Sequence, residues 1–336
     1  MSINVAINGF GRIGRLVLRA ALENASEDIN VLAINDPAET KASAHLLKYD
    51  SVHGQYAADI SVTHDNHLKI GDKLIASYHE RDPEKLPWGD IGADIVLECS
   101  GRFTQRKDAE KHLKAGAKKV LISAPAKDED YTVVYGVNHE GLKPEHKIIS
   151  NASCTTNCLA PVAHVLHKSV GIQTGFMTTI HSYTGDQNIV DANHKDLHRA
   201  RAGALNLIPT STGAAKAVGK VLPDLNEKLD GVAIRVPTPN VSLVDFKFTC
   251  LNSTSVENIN KMLSQAAENE MSGILGVYDA PLVSTDFNHD SRSSIVSLEG
   301  TKVMGDNFVR IMSWYDNEWG FSCRMIDTTR KMGQYL

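Results

Sequence analysis

The chain has 336 residues, about twice the length of a typical domain, so two domains are expected. Hydrophobic residues make up 42% of the sequence and charged residues 22%, which is typical of a globular chain and excludes general disorder. The 35 Lys and Arg against 40 Asp and Glu give a net charge of −5, which disfavours nucleic acid as a primary partner.

Neither a membrane span nor a secreted disulfide framework is indicated. No apolar run approaches the roughly 18 residues that a membrane span needs. Residues 1–9 have the pattern of a strand and not of a signal peptide. The five cysteines are an odd number scattered along a long chain, which disfavours disulfide pairing. We therefore expect free thiols, no membrane association and a cytoplasmic location.

The first half of the chain alternates short apolar runs with helical patterns. Ile3–Asn8 predicts a strand, and Arg12–Asn24 predicts a helix that follows a glycine-rich turn. Further buried strands are predicted at residues 31–35, 94–100 and 119–123. Unbroken apolar runs that alternate with helices are typical of a parallel sheet covered on both faces. This half is therefore predicted to be α/β.

The pattern changes near residue 151. A helix-like stretch at residues 154–168 contains Pro161, which removes a helical N–H, so we expect a kink in the first turns or a helix that begins later. Residues 181–212 lack periodicity and are polar, which is typical of a functional loop. Several strand-like runs alternate with period two, as expected for an antiparallel sheet with one exposed face. These runs lie at residues 173–180, 231–236, 242–249 and 307–314.

A Gly-x-Gly-x-x-Gly pattern stands between the first predicted strand and the first predicted helix. In this pattern Gly9 allows a tight turn, Gly11 lets the backbone approach a pyrophosphate, and Gly14 allows close packing of the helix on the sheet. Asp36 follows the second strand about 20 residues later, where a carboxylate binds the ribose hydroxyls of NAD and repels the 2′-phosphate of NADP. The sequence therefore predicts NAD binding.

Other residues near this pattern are interpreted more simply. Arg12 and Ile13 lie at the predicted helix N-terminus, which faces the anion. Asp50 and Asp59 lack a comparable context and are predicted to be surface charges. The alternative to NAD binding is a structural glycine-rich turn with a solvated Asp36.

Cys154 is the candidate nucleophile, because it begins a helix-like stretch and the helix dipole favours the thiolate. Cys158, one turn further along the same face, is predicted to be a buried thiol. His181 follows an apolar strand and enters a polar loop, where it can meet the thiol as acid and base. Purely structural roles for both residues stay open at this point. His164 and His167 have helical spacing but no third ligand, so no metal site is predicted.

Seven sequence blocks, taken in order, make the chain similar to the phosphorylating glyceraldehyde-3-phosphate dehydrogenases over essentially its full length. The blocks are Asn8-Gly-Phe-Gly-Arg-Ile-Gly14, His45-Leu-Leu-Lys-Tyr-Asp-Ser-Val-His-Gly54, Ser150-Asn-Ala-Ser-Cys-Thr-Thr-Asn-Cys-Leu-Ala-Pro161, His181-Ser-Tyr-Thr184, Ile208-Pro-Thr-Ser-Thr-Gly-Ala-Ala-Lys-Ala217, Arg235-Val-Pro-Thr-Pro-Asn-Val241 and Trp314-Tyr-Asp-Asn-Glu-Trp-Gly320.

The resemblance implies oxidation of glyceraldehyde 3-phosphate to 1,3-bisphosphoglycerate with NAD and inorganic phosphate. Cys154 would attack the aldehyde to give a hemithioacetal, which is oxidised to a thioester that phosphate cleaves. His181 would help to generate the thiolate, stabilise the hemithioacetal oxygen and take its proton.

The resemblance also implies the binding residues. Thr184 and Arg235 would bind the substrate phosphate, and Asn317 would face the nicotinamide carboxamide. The attacking phosphate or its neighbourhood would be served by Ser153, Thr155, Arg199, Thr212 and Gly213. The cofactor would be bound by Gly9, Gly11, Arg12, Ile13, Gly14, Asp36, Arg81, Ser123 and Asn317.

The fold that the resemblance implies is α/β. An N-terminal Rossmann dinucleotide-binding domain would comprise residues 1–152 and be completed by a C-terminal helix at about 319–336. An α+β catalytic domain with a mixed, largely antiparallel sheet would comprise residues 153–318. A homotetramer is expected, with the loop at residues 181–212 at a subunit interface.

Two positions depart from the family pattern. Residues 191–194 lack the Leu-Pro pair of strictly NAD-selective members, which leaves secondary use of NADP open although Asp36 favours NAD. His198 stands beside Arg199 where an arginine is common, a change that bears on local anion affinity.

The sequence leaves two other functions open. An erythrose-4-phosphate dehydrogenase would use the same thiol and cofactor but release a free acid, and the patterns at residues 182–184 and 212–216 disfavour it. A non-catalytic NAD-binding scaffold is disfavoured by the presence of both Cys154 and His181.

Overall fold

A computed structural model describes residues 2–24 and 27–336. Residues 1, 25 and 26, which the predicted 1–152 domain includes, lie outside the described residues. Contacts divide the chain into two compact units. The first consists of Met1–Val133, His139–Ala152 and Ser322–Leu336, and the second of Val134–Asn138 and Ser153–Phe321. Within the described ranges, no helix is both long and apolar enough to cross a membrane.

Among the described residues, the first unit contains a nine-stranded sheet and three helices that lie wholly within it. The strands are β1 Ile3–Asn8, β2 Ile29–Asn35, β3 Ile60–Val62, β4 Leu68–Ile70, β5 Lys73–Tyr78, β6 Ile95–Glu98, β7 Lys119–Ile122, β8 Tyr131–Thr132 and β9 Ile148–Ser150. The helices are α1 Arg12–Asn24, α2 Thr40–Lys48 and α3 Arg106–Lys114, with short 3₁₀ turns at Pro83–Lys85 and His139–Gly141.

The spatial order of this sheet is β3-β4-β5-β2-β1-β6-β7-β9-β8. The strands from β5 to β8 in that order are parallel, and β3 and β4 form an antiparallel edge. Val5, Ala6 and Ile7 are all fully buried, so both faces of β1 are covered. The predicted α/β class is confirmed. Because the chain leaves β1 for β2 on one side and β6 lies on the other, the carboxyl end of β1 is a topological switch point, where such sheets bind ligands.

The second unit contains an eight-stranded sheet and three helices of its own. The strands are β10 Ile172–Ser182, β11 Ile208–Ser211, β12 Leu229–Val236, β13 Ser242–Cys250, β14 Leu275–Tyr278, β15 Ser294–Ser297, β16 Lys302–Met304 and β17 Phe308–Tyr315. The helices are α4 Cys154–Val170, α5 Ala214–Val221 and α6 Val256–Glu268, with 3₁₀ turns at Pro223–Leu225 and Ser284–Phe287; a further helix, α7 Trp319–Gly333, begins in this unit and continues in the first.

The second sheet is mixed and largely antiparallel, as predicted. Its order is β11-β12-β10-β13-β17-β15-β14, with β16 paired to β17. The β10–β12 and β14–β15 pairs are parallel and the others are antiparallel. Residues along β13 alternate between buried and half-buried, which matches the period-two pattern.

Helix α4 differs from the prediction at Pro161. It begins at Cys154 and continues through Pro161 to Val170, so the expectation of a later start is wrong. Proline removes one helical N–H, and the residues on either side of Pro161 are buried to 99% or more. Tertiary packing of the helix therefore outweighs the loss of one hydrogen bond.

Candidate active site

The glycine-rich turn between β1 and α1 requires glycine at two of its three positions. Gly9 has φ +90°, and a Cβ atom there would collide with the backbone of Ser100. A Cβ atom on Gly14 would collide with the carbonyl oxygen of Gly9. Gly11 has open space around its Cα atom, which leaves the backbone accessible. The predicted tight turn and close helix packing are confirmed, and the backbone at Gly11 is open to a ligand.

Asp36 lies at the carboxyl end of β2 and is held against the same turn. Its Oδ2 accepts a hydrogen bond from the Phe10 N–H at 2.8 Å, and its Oδ1 accepts one from the Ala38 N–H at 2.9 Å. A carboxylate oxygen has two acceptor positions, so each oxygen keeps capacity for a ligand hydroxyl. The local geometry fits the predicted binding of ribose hydroxyls.

Arg12 and Asp50 form an ion pair beside this turn, with Nη1 to Oδ2 at 2.5 Å. Burial opposes ionisation of Asp50, but N–H donors from His53 and Val52 and the Arg12 side chain together lower the pKa of Asp50 to about 2. The Asp50 side chain is only 3% exposed, so its prediction as a surface charge is wrong, because the sequence pattern did not reveal the Arg12 partner. Asp59 is exposed, as predicted.

The remaining cofactor candidates of the first unit also follow parallel strands. Ser123 comes directly after β7, is half-buried, and donates its N–H to the carbonyl oxygen of Glu98 at 2.9 Å. Arg81 follows β5 and is exposed, and Ile13 is half-buried in the first turn of α1. Asn317 belongs to the second unit and is described below.

Cys154 is the first residue of α4. The Ser153 hydroxyl caps this helix by accepting a hydrogen bond from the Thr156 N–H at 3.0 Å. The Cys154 Sγ lies 3.6 Å from the Nε2 atom of His181, which is the penultimate residue of β10. The second unit therefore brings the two residues together, as the sequence predicts. Cys158 is fully buried, and burial raises the pKa of its thiol to about 12.

The second ring nitrogen of His181 lies between two partners. Its Nδ1 is 2.7 Å from the carbonyl oxygen of Ser182 and 2.7 Å from Nη1 of Arg235. With the proton on Nδ1, the ring donates to Ser182 and Nε2 is free to accept the thiol proton. With the proton on Nε2, Nδ1 accepts from Arg235. The first tautomer is the one that can act as a base toward Cys154.

Burial decides the resting protonation of both groups. Burial raises the pKa of the Cys154 thiol, while the Arg235 charge and hydrogen bonds from Thr155 act in the opposite direction. Burial, reinforced by the Arg235 charge, lowers the pKa of His181 to about 3. The expected lowering of the thiol pKa at the helix N-terminus is therefore wrong, because desolvation outweighs it. At neutral pH the resting pair is a thiol and a neutral imidazole.

Tyr315, at the end of β17, is a site residue that the sequence analysis missed. Its hydroxyl lies 2.9 Å from Oγ1 of Thr155 and 2.9 Å from Oγ1 of Thr179. Its ring packs edge-on against the His181 imidazole, with centroids 6.0 Å apart. Tyr315 lies within the Trp314–Gly320 block that the sequence analysis identified, and that block was the available signal.

The anion-binding candidates are arginine side chains and donors at turns. Burial, followed by the Arg199 charge, lowers the pKa of Arg235, so the two guanidinium groups share a field that favours an anion. Arg199 also donates to Thr210 Oγ1 at 3.0 Å and to Asp186 Oδ2 at 2.7 Å. Thus Asp186 neutralises part of this charge.

The other anion-binding candidates lie at loop ends. Thr184 donates its N–H to Gln187 Oε1 at 3.3 Å. The Thr212 hydroxyl accepts from the Ala214 N–H at 3.2 Å, and Gly213 is the N-cap of α5. The Thr155 hydroxyl, by contrast, is buried against Tyr315.

Asn317 is buried two residues after β17. Its Oδ1 accepts a hydrogen bond from the Ser242 hydroxyl at 2.8 Å. Across the described part of the chain, no group of three or more His, Cys, Asp or Glu side chains has an arrangement that could hold a metal ion.

The first unit has a parallel sheet with a dinucleotide-type turn, and the second has a cysteine–histidine pair. These features define a class of oxidoreductases that bind a nucleotide cofactor and use a thiol as nucleophile. Two family models match the chain: the NAD binding domain of glyceraldehyde 3-phosphate dehydrogenase at residues 3–106 and the C-terminal domain of the same enzyme at residues 153–317. The chain belongs to the glyceraldehyde-3-phosphate dehydrogenase family.

Curated relatives agree over the full length. The glyceraldehyde-3-phosphate dehydrogenase of Xanthobacter flavus is 58% identical, with 99% of each chain covered. That of Cereibacter sphaeroides is 56% identical with 100% of each chain covered, and that of Geobacillus stearothermophilus is 57% identical with 97% covered.

Proposed function

We propose that the protein catalyses the NAD-dependent, phosphorylating oxidation of glyceraldehyde 3-phosphate to 1,3-bisphosphoglycerate. The family supports the reaction and the cofactor. The observation that carries the proposal is the Cys154 Sγ to His181 Nε2 distance of 3.6 Å, with the imidazole neutral and able to accept a proton.

In the mechanism, Nε2 of His181 takes the thiol proton as Cys154 Sγ attacks the aldehyde carbon and a hemithioacetal forms. The imidazolium donates this proton to the hemithioacetal oxygen, and the ring takes it back from that oxygen as hydride leaves the carbon and the thioester forms. Phosphate attacks the thioester carbon and releases Cys154. The site must admit phosphate to the acyl carbon before water, because hydrolysis would lose the oxidation energy held in the thioester.

Two anion sites are assigned to this reaction. Thr184 and Arg235 are proposed to bind the substrate phosphate. The attacking phosphate is assigned to the capped start of α4, the start of α5 and the adjacent arginine, because these supply hydroxyl, N–H and guanidinium donors. The residues are Ser153, Thr155, Thr212, Gly213 and Arg199.

NAD fits the first unit because Gly11 has open space around its Cα atom, so the backbone of the turn can approach a pyrophosphate. When bound, NAD accepts the hydride that leaves the hemithioacetal carbon. The glycine turn is proposed to hold the pyrophosphate and Asp36 the adenosine ribose, which disfavours NADP without excluding its secondary use. The proposed cofactor residues are Gly9, Gly11, Arg12, Ile13, Gly14, Asp36, Arg81, Ser123 and Asn317.

The functional domains are proposed to be residues 1–152 with about 319–336, and residues 153–318. A homotetramer is proposed because the loop that follows β10 exposes large apolar side chains, including Ile189 at 86% and Leu197 at 81%. Sedimentation of the purified protein tests this assembly. A cytoplasmic location is proposed because the odd number of scattered cysteines does not resemble a secreted disulfide framework.

The test is NADH formation from glyceraldehyde 3-phosphate and NAD, with and without inorganic phosphate, alongside reactions with NADP and with erythrose 4-phosphate. Rapid NADH formation that depends on phosphate is expected. Preference for erythrose 4-phosphate without a phosphate requirement would instead assign the related free-acid dehydrogenase. Absence of turnover with every pair, together with intact NAD binding, would favour a scaffold.

A further inference from the structure

Three buried residues connect the strand of the proposed base with the proposed nicotinamide ligand. Ser182 ends β10 directly after His181, Ser242 begins β13, and Asn317 lies two residues beyond β17. The Ser182 N–H donates to Ser242 Oγ at 3.1 Å, and the Ser242 hydroxyl donates to Asn317 Oδ1 at 2.8 Å. Because all three lie in the second unit, the arrangement is a property of that unit alone.

The direction of each hydrogen bond follows from the chemistry of the groups. A backbone N–H only donates, so Ser242 Oγ accepts from Ser182. The Ser242 side chain is fully buried, and its single proton needs an acceptor. That acceptor is Asn317 Oδ1. If the amide were reversed, its NH₂ group would face Ser242 and the serine proton would lose this acceptor.

The orientation of the amide leaves one donor without a protein partner. Asn317 is only 5% exposed, and its Nδ2 forms no hydrogen bond to any residue within 2–24 or 27–336. Nδ2 is not enclosed by protein atoms, so this donor is open to a ligand acceptor. A carboxamide oxygen is an acceptor of this kind.

The backbone before Ser242 is also constrained. Val241 has φ +67°, a conformation that β-branched residues rarely adopt. The Ser182 hydroxyl donates to the Val241 carbonyl oxygen at 2.9 Å. Ser182 therefore fixes both the backbone that presents Ser242 and, through its N–H, the Ser242 hydroxyl itself. Strained backbone of this kind is concentrated at functional sites.

We propose that Ser242 is a positioning residue for cofactor binding. It holds the Asn317 amide so that Nδ2 donates to the carboxamide oxygen of the bound nicotinamide, and it does not touch the cofactor itself. This inference rests on the proposed function, in which Asn317 faces that carboxamide. The oriented donor costs no reorganisation when the dinucleotide binds.

The first experiment is a double-mutant cycle of Ser242→Ala and Asn317→Ala, with the NAD dissociation constant measured by calorimetry. Each single variant is expected to raise this constant about five- to tenfold, as expected for loss of one hydrogen bond. The double variant is expected to bind NAD no more weakly than Asn317→Ala alone, because Ser242 acts through Asn317. If the increases in the dissociation constant of the two single variants multiply in the double variant, the two residues act independently and the proposal is overturned.

A matched control and a conservative variant separate positioning from folding. Ser297→Ala removes another buried serine hydroxyl of the same sheet, which accepts a hydrogen bond from the Gly300 N–H at 3.2 Å. This variant should leave the affinity for NAD unchanged. Ser242→Cys keeps a weak donor at similar volume and should bind NAD with intermediate affinity. If Ser242→Ala does not fold, a dissociation constant for Ser242→Cys equal to that of the unsubstituted protein contradicts the proposal.

A cofactor analogue distinguishes a role of Ser242 in positioning Asn317 from a role in the general structure of the protein. In thionicotinamide adenine dinucleotide, sulfur replaces the carboxamide oxygen and is a weaker acceptor. The loss of affinity caused by Ser242→Ala should shrink to less than about twofold with this analogue, since the hydrogen bond at issue is already weakened. If Ser242→Ala loses as much affinity for the analogue as for NAD, Ser242 does not act through the hydrogen bond to the carboxamide oxygen.

The outcomes also separate this inference from the function on which it rests. If Asn317→Ala leaves NAD affinity unchanged, the assignment of Asn317 to the nicotinamide fails. If Asn317→Ala weakens NAD binding and Ser242→Ala does not, the assignment holds and the positioning role of Ser242 fails.

Discussion

His181 Nε2 lies 3.6 Å from Cys154 Sγ, and burial keeps both groups neutral in the resting protein. A neutral thiol is a poor nucleophile, so the reactive thiolate forms only when the imidazole accepts its proton. The charge of Arg235 acts on both partners, because it lowers the pKa of the thiol and also that of the imidazole. Proton transfer in this pair is therefore linked to the binding of an anion near Arg235.

Removal of the thiol should abolish turnover and leave cofactor binding intact. Cys154→Ala is expected to lower kcat for NADH formation by at least about 10⁴-fold with an unchanged NAD dissociation constant. Cys158→Ala is the matched control: it lies one turn further along α4, and its Sγ faces Ser294 Oγ and the Ser313 carbonyl. That variant should keep turnover within a few-fold. Near-native turnover of Cys154→Ala would contradict the assignment of the nucleophile.

The buried imidazole should make the protein sensitive to acid. In the unfolded chain His181 takes up a proton near pH 6.5, whereas in the folded protein it stays neutral down to about pH 3. The unfolded state therefore binds more protons between these values, and stability falls as the pH falls through this window. In His181→Gln there is no imidazole at this position, so the free energy of unfolding lacks this pH-dependent contribution.

Urea titrations at pH 7 and pH 5 check this expectation. Between these pH values the unsubstituted protein should lose about 2 kcal/mol more free energy of unfolding than His181→Gln, which is 1.36 kcal/mol for each pH unit below 6.5. His181→Asn should behave like His181→Gln. Identical pH dependence in all three proteins would show that the imidazole titrates normally.

The charge of Arg235 should set the reactivity of the thiol. Arg235→Met keeps much of the side-chain volume without the charge, so the pKa of Cys154 rises and less thiolate is present at neutral pH. The rate of alkylation of Cys154 by iodoacetamide at pH 7 is expected to fall about tenfold, with a smaller effect for Arg235→Lys. Arg201→Met serves as the control, since Arg201 is exposed and pairs with Asp191. Unchanged reactivity of Arg235→Met would contradict the electrostatic role.

Asp36 should control the choice between NAD and NADP. Asp36→Ala removes the carboxylate that accepts from the Phe10 and Ala38 N–H groups, and with it the repulsion of a 2′-phosphate. The ratio of kcat/KM for NAD to kcat/KM for NADP is expected to fall at least about tenfold. Asp59→Ala removes an exposed carboxylate of the same unit and should leave the ratio unchanged. Unchanged relative efficiencies in Asp36→Ala would contradict the assignment.

Local patterns predicted well those parts of the site that depend on neighbouring residues. The glycine turn could be predicted because the steric demands at Gly9 and Gly14 are set within one strand–turn–helix unit. The regular continuation of α4 through Pro161 could not, because it depends on tertiary packing. The sequence placed Cys154 at a helix N-terminus but could not show its burial, which reverses the direction of the pKa shift.

Partners that lie far apart in the sequence were missed for the same reason. Tyr315 meets Thr155 across 160 residues, and Ser242 meets Asn317 across 75. No local periodicity distinguishes these side chains from other polar residues at strand ends. Their roles follow from the register of the second sheet, in which β13 pairs with both β10 and β17.

Glu98, at the carboxyl end of β6, lies at the centre of a buried network beneath the glycine turn. The Trp88 indole N–H donates to Nδ1 of His112 at 3.0 Å, so the imidazole proton is on Nε2, which lies 3.0 Å from Glu98 Oε2. Asn8 Nδ2 donates to the same oxygen at 2.5 Å. The Ser100 N–H and hydroxyl donate to Oε1 at 2.8 and 2.5 Å. Four donors therefore converge on one carboxylate.

Glu98→Gln should destabilise the first unit, because an amide NH₂ replaces one oxygen and then faces two donors. The expected loss in free energy of unfolding is about 2–4 kcal/mol, as for a buried network left partly unsatisfied. Urea titration followed by tryptophan fluorescence measures it. Glu110→Gln is the matched control, since its partner Arg106 lies at the surface and such pairs contribute little. Equal stability of the two variants would mean that the donors around Glu98 rearrange without cost and that the network does not hold Asn8 in place next to Gly9.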